Sequence, residues 1–148
     1  MRFLIQRVSH AEVSVNGEIA GAIQKGFTVF IGISHTDNEA VADKMLHKLL
    51  GLRIFEDENG KINRSLKDVD GALLLISQFT LYADCKHGFR PGFTDAGAPE
   101  MANALYEYII KKCAENGFKV ERGVFGADMK VELLNDGPFT ILLDSDSL

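Results

Sequence analysis

The chain has 148 residues, 46% of them apolar, which suits one domain around a single packed interior. Its formal net charge of −5 argues against a protein that coats long stretches of nucleic-acid backbone, which needs a broad basic face, but leaves room for one that grips a single RNA end. No run approaches the ~20 apolar residues that cross a bilayer, and the N-terminus lacks the charged, apolar and small-residue order of a signal peptide, so a cytoplasmic protein that starts at Met1 is expected.

Met1–Asn16 alternates apolar and polar residues over part of its length and reads as a strand. The pattern allows Arg7 on the polar face, as an ordinary surface charge. A tight Asn16-Gly17 turn then leads into Glu18–Gln24, a strong hairpin signal. Gly26–Ser34 is a third, buried strand, and Thr36-Asp37-Asn38-Glu39 reads as a capping box that opens a helix. Val41, Met45, Leu46, Leu49 and Leu50 fall on one face of that helix; His47 is expected on its surface. Arg53–Glu56 is a short strand, followed by the turn Asp57-Glu58-Asn59-Gly60. Ala72–Tyr82 reads as a central strand, and Asp84–Ala98, rich in glycine and charge, as a long functional loop. Pro99 suits the first turn of a second helix, whose buried stripe is Ala102, Leu105, Tyr106, Ile109, Ile110 and Cys113 and which Asn116-Gly117 ends. Lys119–Phe125, Met129–Asn135 and Phe139–Leu143 read as strands. One mixed α/β domain over residues 1–148, rich in strands and with two main helices, follows from this order.

Two short segments carry chemistry. Ser77-Gln78-Phe79-Thr80-Leu81-Tyr82 follows the apolar run Leu73-Leu74-Leu75-Ile76. Polar groups at the end of a buried strand need partners, because an unpaired one costs about 1–3 kcal/mol. Ser77, Gln78 and Thr80 either cap neighbouring backbone or await a ligand. Asn135-Asp136-Gly137-Pro138-Phe139-Thr140 lies between two apolar strands. Pro138 has no N–H and a fixed φ, so this corner is either a plain turn or a stiff display of bare carbonyls.

Familiar reactive groupings are missing. No Gly-x-Ser-x-Gly elbow supports a nucleophilic serine, and no His-Glu-x-x-His or paired-cysteine motif supports a bound metal; no cofactor is implied. Cys85 and Cys113 read as free thiols, and His10, His35, His47 and His87 are scattered. Cys85 and His87 allow a thioesterase or esterase reading, and a non-catalytic RNA-end binder is a third class. Lys86, Arg90, Lys111 and Lys112 supply either a local basic rim or ordinary solvated charge. Phe89 and Phe93 either stack on the terminal adenine of an RNA end or pin a loop to the core.

Together, Ser77–Tyr82 and Asn135–Thr140 resemble the signature of the D-aminoacyl-tRNA deacylases. Met1–Ser9, Leu52–Asp57 with Gly60-Lys61, and Phe125–Met129 are similar to further stretches of that family, in the same order. Gly92 departs from it, where the family commonly has serine. The resemblance implies layered sheets with helices outside, a homodimer, and hydrolysis of D-aminoacyl esters at the acceptor end of tRNA. It further implies that L-aminoacyl groups are rejected, that glycine mischarged on alanine tRNA is accepted, and that the 2′-hydroxyl of the terminal adenosine assists. The backbone around Gln78, Phe79 and Thr80 is then expected to stabilise the oxyanion, with Thr80 positioning rather than attacking. Ser77, Met129 and Phe89 are expected to meet the substrate, Arg7 to support the Gly137-Pro138 corner, and that corner to be cis and to enter the partner subunit's site.

Overall fold

β1 (Arg2–Val15) is the spine of the fold in the computed structural model, which describes residues 1–148. One edge of β1 carries two antiparallel neighbours in succession, β3 (Gly26–Gly32) along Arg2–Val8 and β2 (Glu18–Ile23) along Ala11–Val15. The other edge carries β8 (Met129–Asp144), also antiparallel. β6 (Ala72–Ser77) joins β3 in parallel, and β7 (Lys119–Arg122) joins β6 in parallel. Parallel pairs need long crossovers. α1 (Glu39–Gly51) lies in the first and α2 (Pro99–Glu115) in the second. A small hairpin, β4 (Phe55–Glu56) with β5 (Ile62–Arg64), stands apart.

The sheet curls until β2 meets β7. A Cβ on Gly21 would stand 2.7 Å from the Arg122 carbonyl oxygen, so only glycine permits that approach. Curling divides the interior. Phe3, Ile5, Phe27, Val29 and Leu75 face outward and are covered by Met45, Leu49, Tyr106 and Ile109 of the helices. Val8, Ala11, Val13, Ile23, Leu74 and Ile76 fill the inside of the near-barrel. Register shifts between Gln6 and His10 transfer β1 from one core to the other.

Several expected elements end differently. The Asn38 side chain, and not Thr36, caps α1, accepting the Val41 N–H at 3.0 Å. Thr36 and Asp37 are engaged at Ser34 instead: the hydroxyls of Ser34 and Thr36 are 3.0 Å apart, and the Asp37 carboxylate accepts the Ser34 N–H at 2.7 Å. The central strand stops at Ser77, and Phe79–Tyr82 is a 3₁₀ turn. Its ladder partner runs out, since the last pair is Ile31 with Ser77 and β3 ends at Gly32. β7 ends at Arg122, where the Gly123 N–H turns to donate to the Leu75 carbonyl at 3.1 Å. The two expected C-terminal strands are one, β8, with Asp136–Phe139 outside the ladder.

Tyr106 ties α2 to the central strand. Its hydroxyl donates to the Leu75 carbonyl at 2.7 Å, and burial pushes the phenol up to about 12. The Leu75 carbonyl keeps the Gly123 N–H when that bond is lost. Tyr106→Phe is therefore expected to cost only about 1 kcal/mol of stability in urea unfolding, with activity retained.

Candidate active site

A cavity of about 660 Å³ opens where β6 stops. Ile31, Ile33 and Ile76 form its apolar floor, and Ser77, Gln78 and Phe79 supply its polar end. The start of α2, at Ala98, Pro99 and Ala102, forms one wall, and Phe125–Met129 with Val131 the other. The Phe79 ring meets Phe93 edge-on, with centroids 5.0 Å apart, at the mouth.

The turn at Phe79–Tyr82 follows from its partners. The Gln78 N–H donates to the Ile31 carbonyl at 2.8 Å, so that amide is spent on the fold. The Leu81 N–H donates back to Gln78 at 3.3 Å and the Ala83 N–H to Thr80 at 3.0 Å. The Phe79 and Thr80 amides are the first two of the turn, where no carbonyl within the turn can accept them. The Gln78 side-chain amide donates to the Thr80 hydroxyl, which has no hydrogen bond to a histidine or a carboxylate. Arg2 holds the far end of the turn: it donates to the Leu81 carbonyl at 2.8 Å, pairs with Asp144 at 2.9 Å and stacks on the Tyr82 ring at 4.5 Å.

The Gly137-Pro138 corner is a second cluster, exposed and outside the cavity. Its peptide bond is cis. The Asn135 side chain brackets it, donating to the carbonyls of Arg7 (3.0 Å) and Phe139 (2.9 Å) and accepting the Phe139 N–H (3.1 Å). Arg7 is not on a polar face. It shares the side of β1 that carries Phe3 and Ile5 and is only 7% exposed. Two residues on from Ile5, it follows the alternation of that face, along a ladder with β3 that is unbroken from Arg2 to Val8. Its guanidinium donates to the Asp136 carbonyl at 3.0 Å and the Ile54 carbonyl at 2.6 Å, and lies over the Phe139 ring at 4.7 Å. A main chain braced in this way holds its carbonyls at a fixed angle.

The structure thus gathers Ser77, Gln78, Phe79 and Met129 in one cavity, with Thr80 exposed next to Phe79 and not among the lining residues, and Arg7, Gly137 and Pro138 in another cluster. Phe89 joins neither and is wholly exposed. Phe93 is a cavity residue. Cys85 and His87 are exposed and outside the cavity, and Cys113 is buried, its thiol pushed up to about 12 by that burial. Gly92 has room for a side chain: a Cβ there meets nothing nearer than the Asp84 carbonyl oxygen at 3.9 Å. Sequence reasoning missed the wall at Ala96–Ala102, where the one signal was a run of small residues ahead of a helix.

The family model described as D-Tyr-tRNA(Tyr) deacylase matches residues 4–144. The chain belongs to that family. It is 54% identical over 145 residues to the D-aminoacyl-tRNA deacylase of Stutzerimonas stutzeri (strain A1501), covering 98% of this chain and 100% of the relative. It is equally identical to the D-aminoacyl-tRNA deacylase of Clostridioides difficile (strain 630), over 98% and 97% of the two chains. Among solved structures, the c-Myc DNA Unwinding Element Binding Protein superposes with a TM-score of 0.91 at 38% identity, over 97% of this chain and 98% of that one. A probable eukaryotic D-amino acid tRNA deacylase shares the fold, with a TM-score of 0.77 at 21% identity over 96% and 97% of the two chains. The deacylase family is one of hydrolases that act on the ester bond of aminoacyl-tRNA.

Proposed function

We propose that this chain hydrolyses the ester of D-aminoacyl-tRNA, releasing free amino acid and tRNA, and spares L-aminoacyl-tRNA. The observation that carries the mechanism is the start of the 3₁₀ turn, where the Phe79 and Thr80 amides have no acceptor within the turn, set against the Ser77–Phe79 end of a mostly apolar cavity. Attack of water on the ester carbonyl puts negative charge on its oxygen. Two fixed N–H donors stabilise that charge without reorganising, and losing one such donor typically costs about a hundredfold in rate. The Thr80 hydroxyl has no basic partner, so it orients and does not attack. The hydroxyl that assists is the substrate's own 2′-hydroxyl, beside the ester. The bond between carbonyl carbon and 3′-oxygen breaks, and the 3′-oxygen takes the proton that the water gives up.

Handedness is read by main chain. The Gly137 and Pro138 carbonyls stand outside the ladder, on a corner braced by Arg7 and Asn135 and exposed to a partner. In a homodimer the corner enters the other subunit's cavity, holds the α-amino group and leaves no space for an L side chain. Glycine has no side chain to reject, so glycine mischarged on alanine tRNA is also cleaved. The free outer edge of β8 and its exposed Leu134 and Leu142 support such a pairing of copies. Cytoplasmic placement suits this substrate.

Incubation with D-tyrosyl-tRNA and L-tyrosyl-tRNA tests the reading: release from the first alone is expected, and equal release from both would sink it. Thiol alkylation is expected to leave the rate intact, because neither cysteine lines the cavity; inactivation would restore the thioesterase reading. Asp128 is the one carboxylate lining the cavity, and it pairs with Lys130 at 3.1 Å. Asp128→Asn is expected to change single-turnover rate by no more than about threefold. A loss of about 100-fold would make this carboxylate the missing base.

A further inference from the structure

Residues Cys85–Pro91 form an arm with a pinned base. The Asp84 N–H donates to the Gly92 carbonyl at 2.8 Å and the Gly92 N–H returns to Asp84 at 2.9 Å. Inside the arm the Lys86 N–H donates to the Asp84 carboxylate at 2.9 Å, and Gly88 bends the chain at a φ of +70°. All residues from Cys85 to Gly92 are exposed, and Phe89 is completely so. The fold gains nothing from that ring: it makes no aromatic contact, while Phe93 and Phe79 pack on one another. Lys86 and Arg90 flank it, and neither forms an ion pair. On a chain of net charge −5, this is a cationic tip with an unused aromatic face. The arm springs from the cavity mouth, since Phe93 follows its closing residue directly.

We propose that this arm grips the single-stranded RNA leading into the cavity, upstream of the terminal adenosine. Phe89 stacks on a base there, and Lys86 and Arg90 meet the adjoining phosphates. Aromatic faces bind bases without strict sequence readout, and cations track phosphate, so the arm suits any tRNA end. An acidic protein would also match the charge, but the continuity of the arm with the cavity favours the strand that must enter it. The inference rests on the aminoacyl-RNA reading above and adds a contact outside the cavity.

Two inert ligands test it: a D-tyrosyl group joined by an amide to the 3′-position of adenosine, and the same group at the end of a four-nucleotide RNA. Calorimetric titration of the wild-type protein is expected to show the RNA binding about 5- to 150-fold more tightly than the nucleoside. In Phe89→Ala, with its melting temperature checked as a fold control, that ratio is expected to fall toward one. In the Lys86→Ala, Arg90→Ala double variant, the slope of log Kd against log salt for the RNA is expected to drop by about 1.4, near 0.7 for each phosphate. Equal affinity of the wild type for both ligands overturns the proposal, as does a Phe89→Ala variant that weakens both by the same factor, which would put the ring on the adenosine itself. A wild-type protein that binds neither ligand removes the aminoacyl-RNA reading and the arm's role with it.

Discussion

Gly137→Ala is expected to abolish most of the discrimination between D- and L-aminoacyl-tRNA while leaving a folded protein. An added Cβ would lie 2.4 Å from the Phe139 backbone nitrogen and 3.0 Å from its Cβ, so the corner itself must move. The braces around it would remain: Asn135 still spans Arg7 and Phe139, and Arg7 still holds Asp136 and Ile54. They would then fix a displaced geometry. A misplacement near 1 Å at a positioning element costs on the order of a hundredfold. The ratio of D to L single-turnover rates is expected to fall by about that factor, chiefly through admission of the L substrate. Arg7→Lys is the companion variant: it keeps the charge and loses the planar fork that serves two carbonyls. It should loosen selectivity in the same direction and lower stability by about 2–3 kcal/mol, since a buried group is left short of partners. Unchanged selectivity in both variants would detach the corner from the reading of handedness.

Gly32→Ala is expected to strike the chemistry rather than the selectivity. Gly32 ends β3 directly beneath the motif turn, where a Cβ would stand 2.8 Å from the Leu81 Cβ and 3.3 Å from the Gln78 carbonyl oxygen. The turn must lift, and with it the amides of Phe79 and Thr80. Donors aimed at an oxyanion work only when already in place, so kcat is expected to drop about 100- to 1,000-fold. The ratio of D to L rates should persist, because the Gly137-Pro138 corner is a separate cluster. A Gly32→Ala enzyme of near-normal kcat would show that these amides do not carry the reaction.

Much of this was legible in the residues, for reasons that differ by element. The Asn16-Gly17 hairpin and the apolar stripes of both helices rest on local turn chemistry and helical period, and both stand in the structure. The Ser77–Tyr82 and Asn135–Thr140 segments were visible because polar groups and a Gly-Pro corner interrupt apolar strands. Their local shapes were not. Gln78–Tyr82 leaves the strand because β3 ends, and nothing within the segment announces where its neighbour stops. Arg7 lies on the buried face by the same alternation that buries Phe3 and Ile5; its charge argued for the surface, and the Ile54 and Asp136 carbonyls that receive its guanidinium come from distant parts of the chain. The capping residue of α1 moved from Thr36 to Asn38 because Ser34 competes for the hydroxyl and carboxylate nearby. The cavity wall at Ala96–Ala102 was invisible for a simpler reason: small side chains carry no chemistry, and their contribution is the space they leave.

On the proposed mechanism, main chain, and no side-chain nucleophile or side-chain pocket, both tells the hands apart and supports ester cleavage. Single-turnover rates on D-tyrosyl-, D-phenylalanyl-, D-aspartyl- and L-tyrosyl-tRNA test it most directly. The three D substrates are expected to agree within about tenfold, or about 1.4 kcal/mol of barrier, with the L substrate slower by at least about a hundredfold. Wide scatter among the D substrates, or an L-tyrosyl rate that matches the D-tyrosyl one, would contradict it.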